Sequence, residues 1–217
     1  DNIKKILEQS LSVYEVKSSL LKKLDPDVII TQSQCSVCAF SLKDVEKCLG
    51  DFIDKKPVLI DLKPNTFEDV LKDIKLVGKK LDKEEESNFL VKNIKKEINK
   101  IKAKTLNSKI KNVLCIEWIE PIMTAGNWIP QLVQFAGGKS ILAKSGKNSN
   151  FIKLEDVNFQ EVDIVIFMPC GFDINRSKKE IFTNTRYILT GNQNGPSVKD
   201  LYNYFGHEGL KKILNEY

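Results

Sequence analysis

The sequence predicts an α/β fold built on parallel sheets, and three observations carry that reading. Short apolar runs of strand length, Val28 to Thr31, Pro57 to Leu62, Val113 to Ile116 and Asp163 to Met168, alternate with stretches of helical periodicity. The last two runs each end in a turn with an aromatic: Glu117-Trp118-Ile119-Glu120-Pro121 after one, Pro169-Cys170-Gly171-Phe172-Asp173 after the other. A long charged helical stretch, roughly 83 to 104, separates the two regions of alternation.

Taken in order, Asn2 to Leu11 has apolar residues at helical spacing, and Ser18 to Leu24 forms a second helix that stops at Asp25-Pro26. Val28 to Thr31 is a buried strand that opens into the loop Gln32 to Ala39. Leu42 to Leu49 returns as a helix before the strand at Pro57 to Leu62. Thr66 is placed as an N-cap, with Glu68 and Asp69 in the first turn of a helix that breaks near Gly78 and Asp82. On the following long helix Phe89, Leu90, Ile94, Ile98 and Ile101 make an apolar stripe. Periodicity leaves two roles for that helix, a rigid spine joining two lobes or a helix packed on one continuous sheet. A strand at 112–116, a helix from about Trp128 to Ala136 stopped by Gly137-Gly138, and a strand at 163–168 follow. Between Phe172 and the last apolar segment, Tyr187 to Thr190, there is room for one short helix, and a closing helix comes after Pro196.

Composition excludes several classes. The net charge of +5 comes almost wholly from lysine interleaved with acids, and Arg176 and Arg186 are the only arginines, so no phosphate-neutralising face for nucleic acid is visible. No apolar run approaches the roughly 20 residues of a membrane span. Five cysteines, an odd number in a chain able to build a core, argue against a disulfide framework and for packing as small hydrophobes. The chain begins at Asp1 without an initiating Met or a leader, which is expected of a processed chain or a fragment.

Chemistry narrows next. The one histidine, His207, is placed on the surface of the last helix, and no P-loop or dinucleotide fingerprint follows any strand, so no enzyme is expected. Cys35-x-x-Cys38 is half of a metal or redox motif, with Cys115 and Cys170 the remaining candidates at distant strand ends. Glu117 and Glu120 are a close acidic pair suited to acid–base work, to docking on a basic partner or to bonding a ligand. Without a nucleophile or metal cluster beside them, the last two roles are favoured.

Three loops together carry a resemblance. Thr31-Gln32-x-x-Cys35-x-Val37-Cys38-Ala39-x-Ser41, Glu117-Trp118-Ile119-x-Pro121-x-Met123-x-Ala125-Gly126-Asn127-Trp128 with Gly137-Gly138, and Met168-Pro169-Cys170-Gly171-Phe172-Asp173 resemble the cobalamin- and iron-siderophore-type periplasmic binding proteins of ABC importers, in the cobalamin-binding branch, over roughly residues 3 to 175. The resemblance implies two Rossmann-like lobes with parallel sheets joined by one long helix: a partial N-terminal lobe at 1–72, linking helices at 73–105 and a C-terminal lobe at 106–217. It implies a corrinoid in the cleft between the lobes, with Gln32, Cys35, Cys38, Glu117, Trp118, Gly126, Asn127, Trp128, Cys170, Gly171 and Phe172 lining it. Trp118, Trp128 and Phe172 would cover the flat faces of that ligand, and Gln32 and Asn127 would bond its amide edges. No resident cofactor or bound metal is implied, since a corrinoid can carry its own axial base. Neither is a nucleic-acid partner. The expected partner is a membrane permease, the protein a monomer outside the cytoplasm.

Two departures from the family pattern stand beside this. Family members begin with a further βαβ portion that this chain lacks, and Ile181 to Gly195 is shortened, so an N-terminally incomplete lobe is expected. Within the family the alternative ligand is an iron siderophore or haem, against which the scarcity of arginine forks weighs. From another class, the alternative is a thiol-based metal or redox protein using Cys35, Cys38 and Cys170.

Overall fold

The computed structural model describes residues 17–34, 57–119, 121–190, 194–201, 203, 204 and 206. The helices expected at Asn2 to Leu11 and Leu42 to Leu49, and Cys35, Cys38, Cys48, Glu120 and His207, lie outside the described residues. The architecture is mixed α/β, with parallel and mixed sheets, as the alternation predicts. The chain forms two compact units, one of Asp1–Ser108, Asn127–Ala136 and Ser145–Lys147, the other of Lys109–Gly126, Gly137–Lys144 and Asn148–Tyr217.

In the first unit α1 (Ser18–Leu24) ends where Asp25 takes a left-handed φ of 40° ahead of Pro26. Strands β1 (Val28–Gln32) and β2 (Val58–Leu62) pair in parallel, from Val28 opposite Val58 to Gln32 opposite Leu62. The expectation that β1 is buried is corrected: Ile30 is 46% exposed, because among the described residues β2 is the only strand paired with β1.

Helix α2 (Phe67–Lys80) starts with a reciprocal capping box. Thr66 Oγ1 accepts from Asp69 N at 3.2 Å, and Asp69 Oδ2 accepts from Thr66 N at 3.0 Å. Hydrogen bonds from Thr66 and Lys72 hold the Asp69 carboxyl far below the usual carboxylate range. The helix stops in a Schellman arrangement, with Lys83 N donating to Gly78 O at 2.7 Å past Asp82 at φ 53°. Helix α3 (Glu84–Thr105) then packs back on α2. At the turn of this hairpin a Cβ on Gly78 would meet the Ser87 side chain and lie 2.9 Å from Lys83 O, so only hydrogen fits there.

That close approach sets which face of α3 is covered. Ser87 and Val91 are buried and Ile94 and Ile98 half-buried, whereas Phe89, Leu90 and Ile101 are exposed. The stripe read from the sequence is thus corrected: Ile94 and Ile98 belong to it, and Ser87 and Val91 replace the other three. Helix α4 (Ile129–Phe135) closes the unit. Its Gln131 accepts from Phe67 N at 2.7 Å and donates to Glu68 at 2.9 Å, and Phe135 meets the Phe67 ring edge-on at 5.5 Å.

The second unit is organised by β3 (Lys111–Ile119). Along one edge it pairs in parallel with β7 (Ile164–Phe167). Along the other it pairs first in parallel with β5 (Gly138–Ser140) and then antiparallel with β4 (Ile122–Thr124), which pairs in turn with β6 (Asn150–Phe151). Because both edges are occupied, Val113 to Ile116 are all buried, and Leu114 and Ile116 form a core with Val157. The Thr124 hydroxyl, fully buried, bonds the Asn150 side chain at 2.9 Å and ties β4 to β6. Strand β7 is apolar throughout yet 39–44% exposed, since β3 is its only strand neighbour among the described residues.

Two further expectations are corrected here. The strand read as 112–116 runs on to Ile119, so Glu117 and Trp118 lie within a β-hairpin rather than on a strand-to-helix turn. The short helix after Phe172 is α5 (Ile174–Thr190), 17 residues long, and it absorbs the apolar segment Tyr187 to Thr190. No helix among the described residues is long and apolar enough to cross a membrane.

Gly78→Ala measures the hairpin contact. Helix propensity favours alanine by about 1 kcal/mol, while overpacking against Ser87 costs roughly 1–3 kcal/mol. Because the added Cβ also meets the backbone oxygen of Lys83, the cost lies at the upper end of that range, and a net loss of about 2 kcal/mol is expected from urea midpoints. A variant as stable as the parent would show that the close approach does not hold α2 on α3.

Candidate functional site

Ligands of open α/β sheets gather beyond the carboxyl ends of parallel strands. In the second unit those ends are Ile119 of β3 and Phe167 of β7. Pairing continues past β7, with Met168 N donating to Ile116 O at 2.8 Å and Cys170 N to Glu117 O at 3.2 Å. Opposite, the β3–β4 register shifts between Ile116 and Trp118, an irregularity of the kind that re-aims a side chain at a strand end. Pro169 O accepts from Phe172 N at 3.3 Å, closing a turn whose third residue, Gly171, has φ 74°. That is the type II pattern, which needs a positive φ there.

This geometry puts the Phe172 ring 5.4 Å from Trp118 in edge contact, with an interplanar angle of 62°. Both side chains are half-buried, and Glu117 beside them is half-buried as well. Arg176 of α5 sets its guanidinium carbon 3.8 Å from the centre of the Phe172 ring. Asp173 Oδ1 accepts from Arg176 N at 2.8 Å, fixing the first turn of α5. Cys170 is exposed, which corrects the expectation that it packs as core, while Cys115 is buried and burial pushes its thiol up. Gly126, also buried, donates its N–H to Ser149 Oγ at 3.0 Å.

In the first unit the carboxyl ends of β1 and β2 present a polar cluster. Ser33 Oγ donates to both Asp61 carboxylate oxygens, at 2.8 and 2.6 Å, and Lys63 pairs with Asp61 at 2.7 Å. Ser33 N also donates to Leu62 O at 3.3 Å, which fixes the start of the Gln32 to Ala39 loop. Burial raises the Asp61 carboxyl, but the bonds from Lys63 and Ser33 outweigh it and hold it below its ordinary value. Asn127 takes φ 51°, held by backbone bonds to Lys147 and Gly146, and its Oδ1 is a buried acceptor with no partner among the described residues.

Gln32 and Trp128 line one mostly apolar groove of about 510 Å³, walled by Leu62, Pro64, Val77 and Leu90. Asp73 lies in it with Oδ2 buried and without a partner among the described residues, and burial followed by the Asp69 charge pushes its carboxyl up. Of the residues named from the sequence, therefore, Gln32 and Trp128 share one surface and Trp118 and Phe172 another, with Gly171 in the turn that positions Phe172. Cys35 and Cys38 lie outside the described residues. The sequence reading missed Arg176, Asp73 and the Ser33–Asp61 pair. Only Arg176 had a signal, its place four residues after Phe172 at the start of a helix.

The family model described as periplasmic binding protein matches residues 15–189. No curated protein matches the chain. Among solved structures it is similar to the periplasmic vitamin B12 binding protein BtuF of Vibrio cholerae, with 14% identity and TM-score 0.53 over 70% of this chain and 58% of that one. It is also similar to an ABC transporter substrate-binding protein from Listeria monocytogenes EGD-e, with 18% identity and TM-score 0.63 over 91% and 79%. A third likeness is to S. aureus IsdE complexed with heme, with 19% identity and TM-score 0.59 over 93% and 79%. At these identities the likeness is one of fold, and the chain spans less than two thirds of the vitamin B12 binding protein's length.

The Asp61 cluster carries a pH dependence. A carboxyl whose folded pKa is depressed adds stability above its unfolded value of about 3.9 and loses it as pH falls through the folded pKa. Asp61→Asn should be less stable than the parent near about pH 7 and differ little near about pH 2.5. Urea midpoints at both pH values test this, and a gap that stays constant would mean that the charge does not hold Ser33.

Proposed function

The chain belongs to the periplasmic binding protein family, and from that premise we propose that it is the solute-binding component of an ABC importer, holding a corrinoid-type ligand and delivering it to a membrane permease. The protein works outside the cytoplasm, at the periplasm or cell surface, as a monomer without catalysis. The observation that carries the ligand class is the half-buried Trp118–Phe172 pair at the carboxyl ends of β3 and β7. Two aromatic rings held in edge contact offer a wide apolar contact of the kind a corrin ring needs, and they lose little rotamer freedom on binding.

The loop motifs support Gln32, Asn127, Trp128, Glu117, Gly126, Cys170 and Gly171 as further ligand contacts. Cys35 and Cys38 keep the roles that the loop motif implies.

A second reading, a haem or iron-siderophore receptor, is favoured by one observation. An arginine fork, whose scarcity weighed against acidic ligands, lies on the Phe172 ring. Fold likeness to a vitamin B12 binding protein and to a protein complexed with heme is compatible with either.

Titration with cyanocobalamin and separately with haemin, followed by tryptophan fluorescence, tests the proposal. Saturable quenching by one of them is expected. Trp118→Ala should weaken it about thirtyfold, roughly 2 kcal/mol, at unchanged far-UV circular dichroism. Absence of saturable quenching by both probes would overturn the flat-macrocycle reading.

A further inference from the structure

Arg176 is one of two arginines in the chain, and its position comes from three elements rather than from helix spacing alone. Phe172 precedes α5 by two residues, and its ring is fixed by the Gly171 turn and by Trp118 of β3. The guanidinium then lies over the same ring, 3.8 Å from its centre. A π contact at this distance occupies one face of the planar group and leaves its N–H donors, which lie in the plane, available. Among the described residues no carboxylate forms an ion pair with it. The acid closest in sequence, Asp173, has Oδ1 engaged with the backbone N–H of Arg176. A planar fork with open donors beside two half-buried aromatic rings is therefore suited to an anionic substituent on the rim of a flat ligand.

Resting on the aromatic site of the preceding subsection, we infer that Arg176 is a specificity-determining residue that reads an acidic substituent, a carboxylate or a phosphate, on the ligand seated against Trp118 and Phe172. The ligand class narrows from flat macrocycles in general to those with an anionic rim. Stacking on Phe172 pre-organises the fork, so less side-chain freedom is lost when the anion binds. Lysine, a point charge without the fork, would replace it incompletely.

Two probe pairs test the inference, the first differing in the carboxylates alone and the second in the whole arm that carries the phosphate. Haemin is compared with its dimethyl ester, and cyanocobalamin with dicyanocobinamide, which lacks the phosphate-bearing nucleotide arm. With the parent chain the acid-bearing member of the pair that binds should bind about tenfold tighter than its neutral counterpart. Arg176→Gln should bring the two within about twofold while leaving the neutral member's affinity unchanged, and Arg176→Lys should retain part of the preference. Equal binding of both members by the parent would overturn the role of Arg176 while leaving the aromatic site standing. So would an equal loss of both in Arg176→Gln, which would mark the side chain as packing only. Failure of all four probes to bind the parent would overturn the ligand reading and this inference together.

Discussion

Parallel pairing of β3 with β7 extends beyond the last residue of β7, through the amide bonds from Met168 to Ile116 and from Cys170 to Glu117. Those two bonds decide where the Pro169 to Phe172 turn lies relative to the end of β3. Without them Gly171 could still form its type II turn, but Phe172 would have no fixed relation to Trp118. The core beneath gives the pairing its stability. Leu114 and Ile116 are buried with Val157, with β7 on one edge of β3 and β4 and β5 on the other, so a slip of register would expose the apolar run. The aromatic contact and the arginine over the Phe172 ring are therefore consequences of sheet register.

The first unit solves a different problem, that of holding loop ends still beside a short two-stranded sheet. Its carboxyl ends are tied by Asp61, which accepts from Ser33 and pairs with Lys63. Charge-assisted bonds of this kind are shorter and stronger than neutral ones, and the lowered Asp61 carboxyl is their electrostatic signature. Helix α2 is fixed at both ends, by the Thr66–Asp69 box at one and by the Gly78 carbonyl at the other. Gln131 of α4 adds a further bond to the start of the same helix, so that α4 continues directly from Trp128.

Charge is the quantity that separates the candidate ligands. Corrinoid and haem both require a broad apolar surface, and the proposed site at Trp118 and Phe172 suits either. They differ in the number and placement of acidic groups on the rim. A chain with 34 basic side chains but only two arginines is suited to solvated surfaces, and counting arginines points away from acidic ligands. Position matters more than the count. In the proposed reading, one guanidinium stacked on a ring at a strand end outweighs many lysines alternating with acids on helix surfaces, where water screens them.

Much of the fold was legible in the residues. Ser18 to Leu24, Thr66 as a cap, the break at Gly78 to Asp82 and the strands at 28, 58, 113 and 164 all follow from local rules of capping, turn chemistry and periodicity. The candidate site was legible as residue types, since aromatics and glycine turns after strands can be seen in a string of letters. What escaped were relations between distant segments: which face of α3 meets α2, that Glu117 and Trp118 belong to a hairpin, and that Tyr187 to Thr190 continues α5. By itself, then, the sequence determined the α/β class, the caps and turns, and the residue types of the site, because these depend on interactions within a few positions along the chain. Tertiary structure alone decided that Phe172 meets Trp118 and Arg176, that Ser33 meets Asp61, and that Asp73 and Asn127 hold oxygens without a partner among the described residues. Those contacts are set by sheet register and by the burial of side chains distant in sequence, which no local pattern encodes.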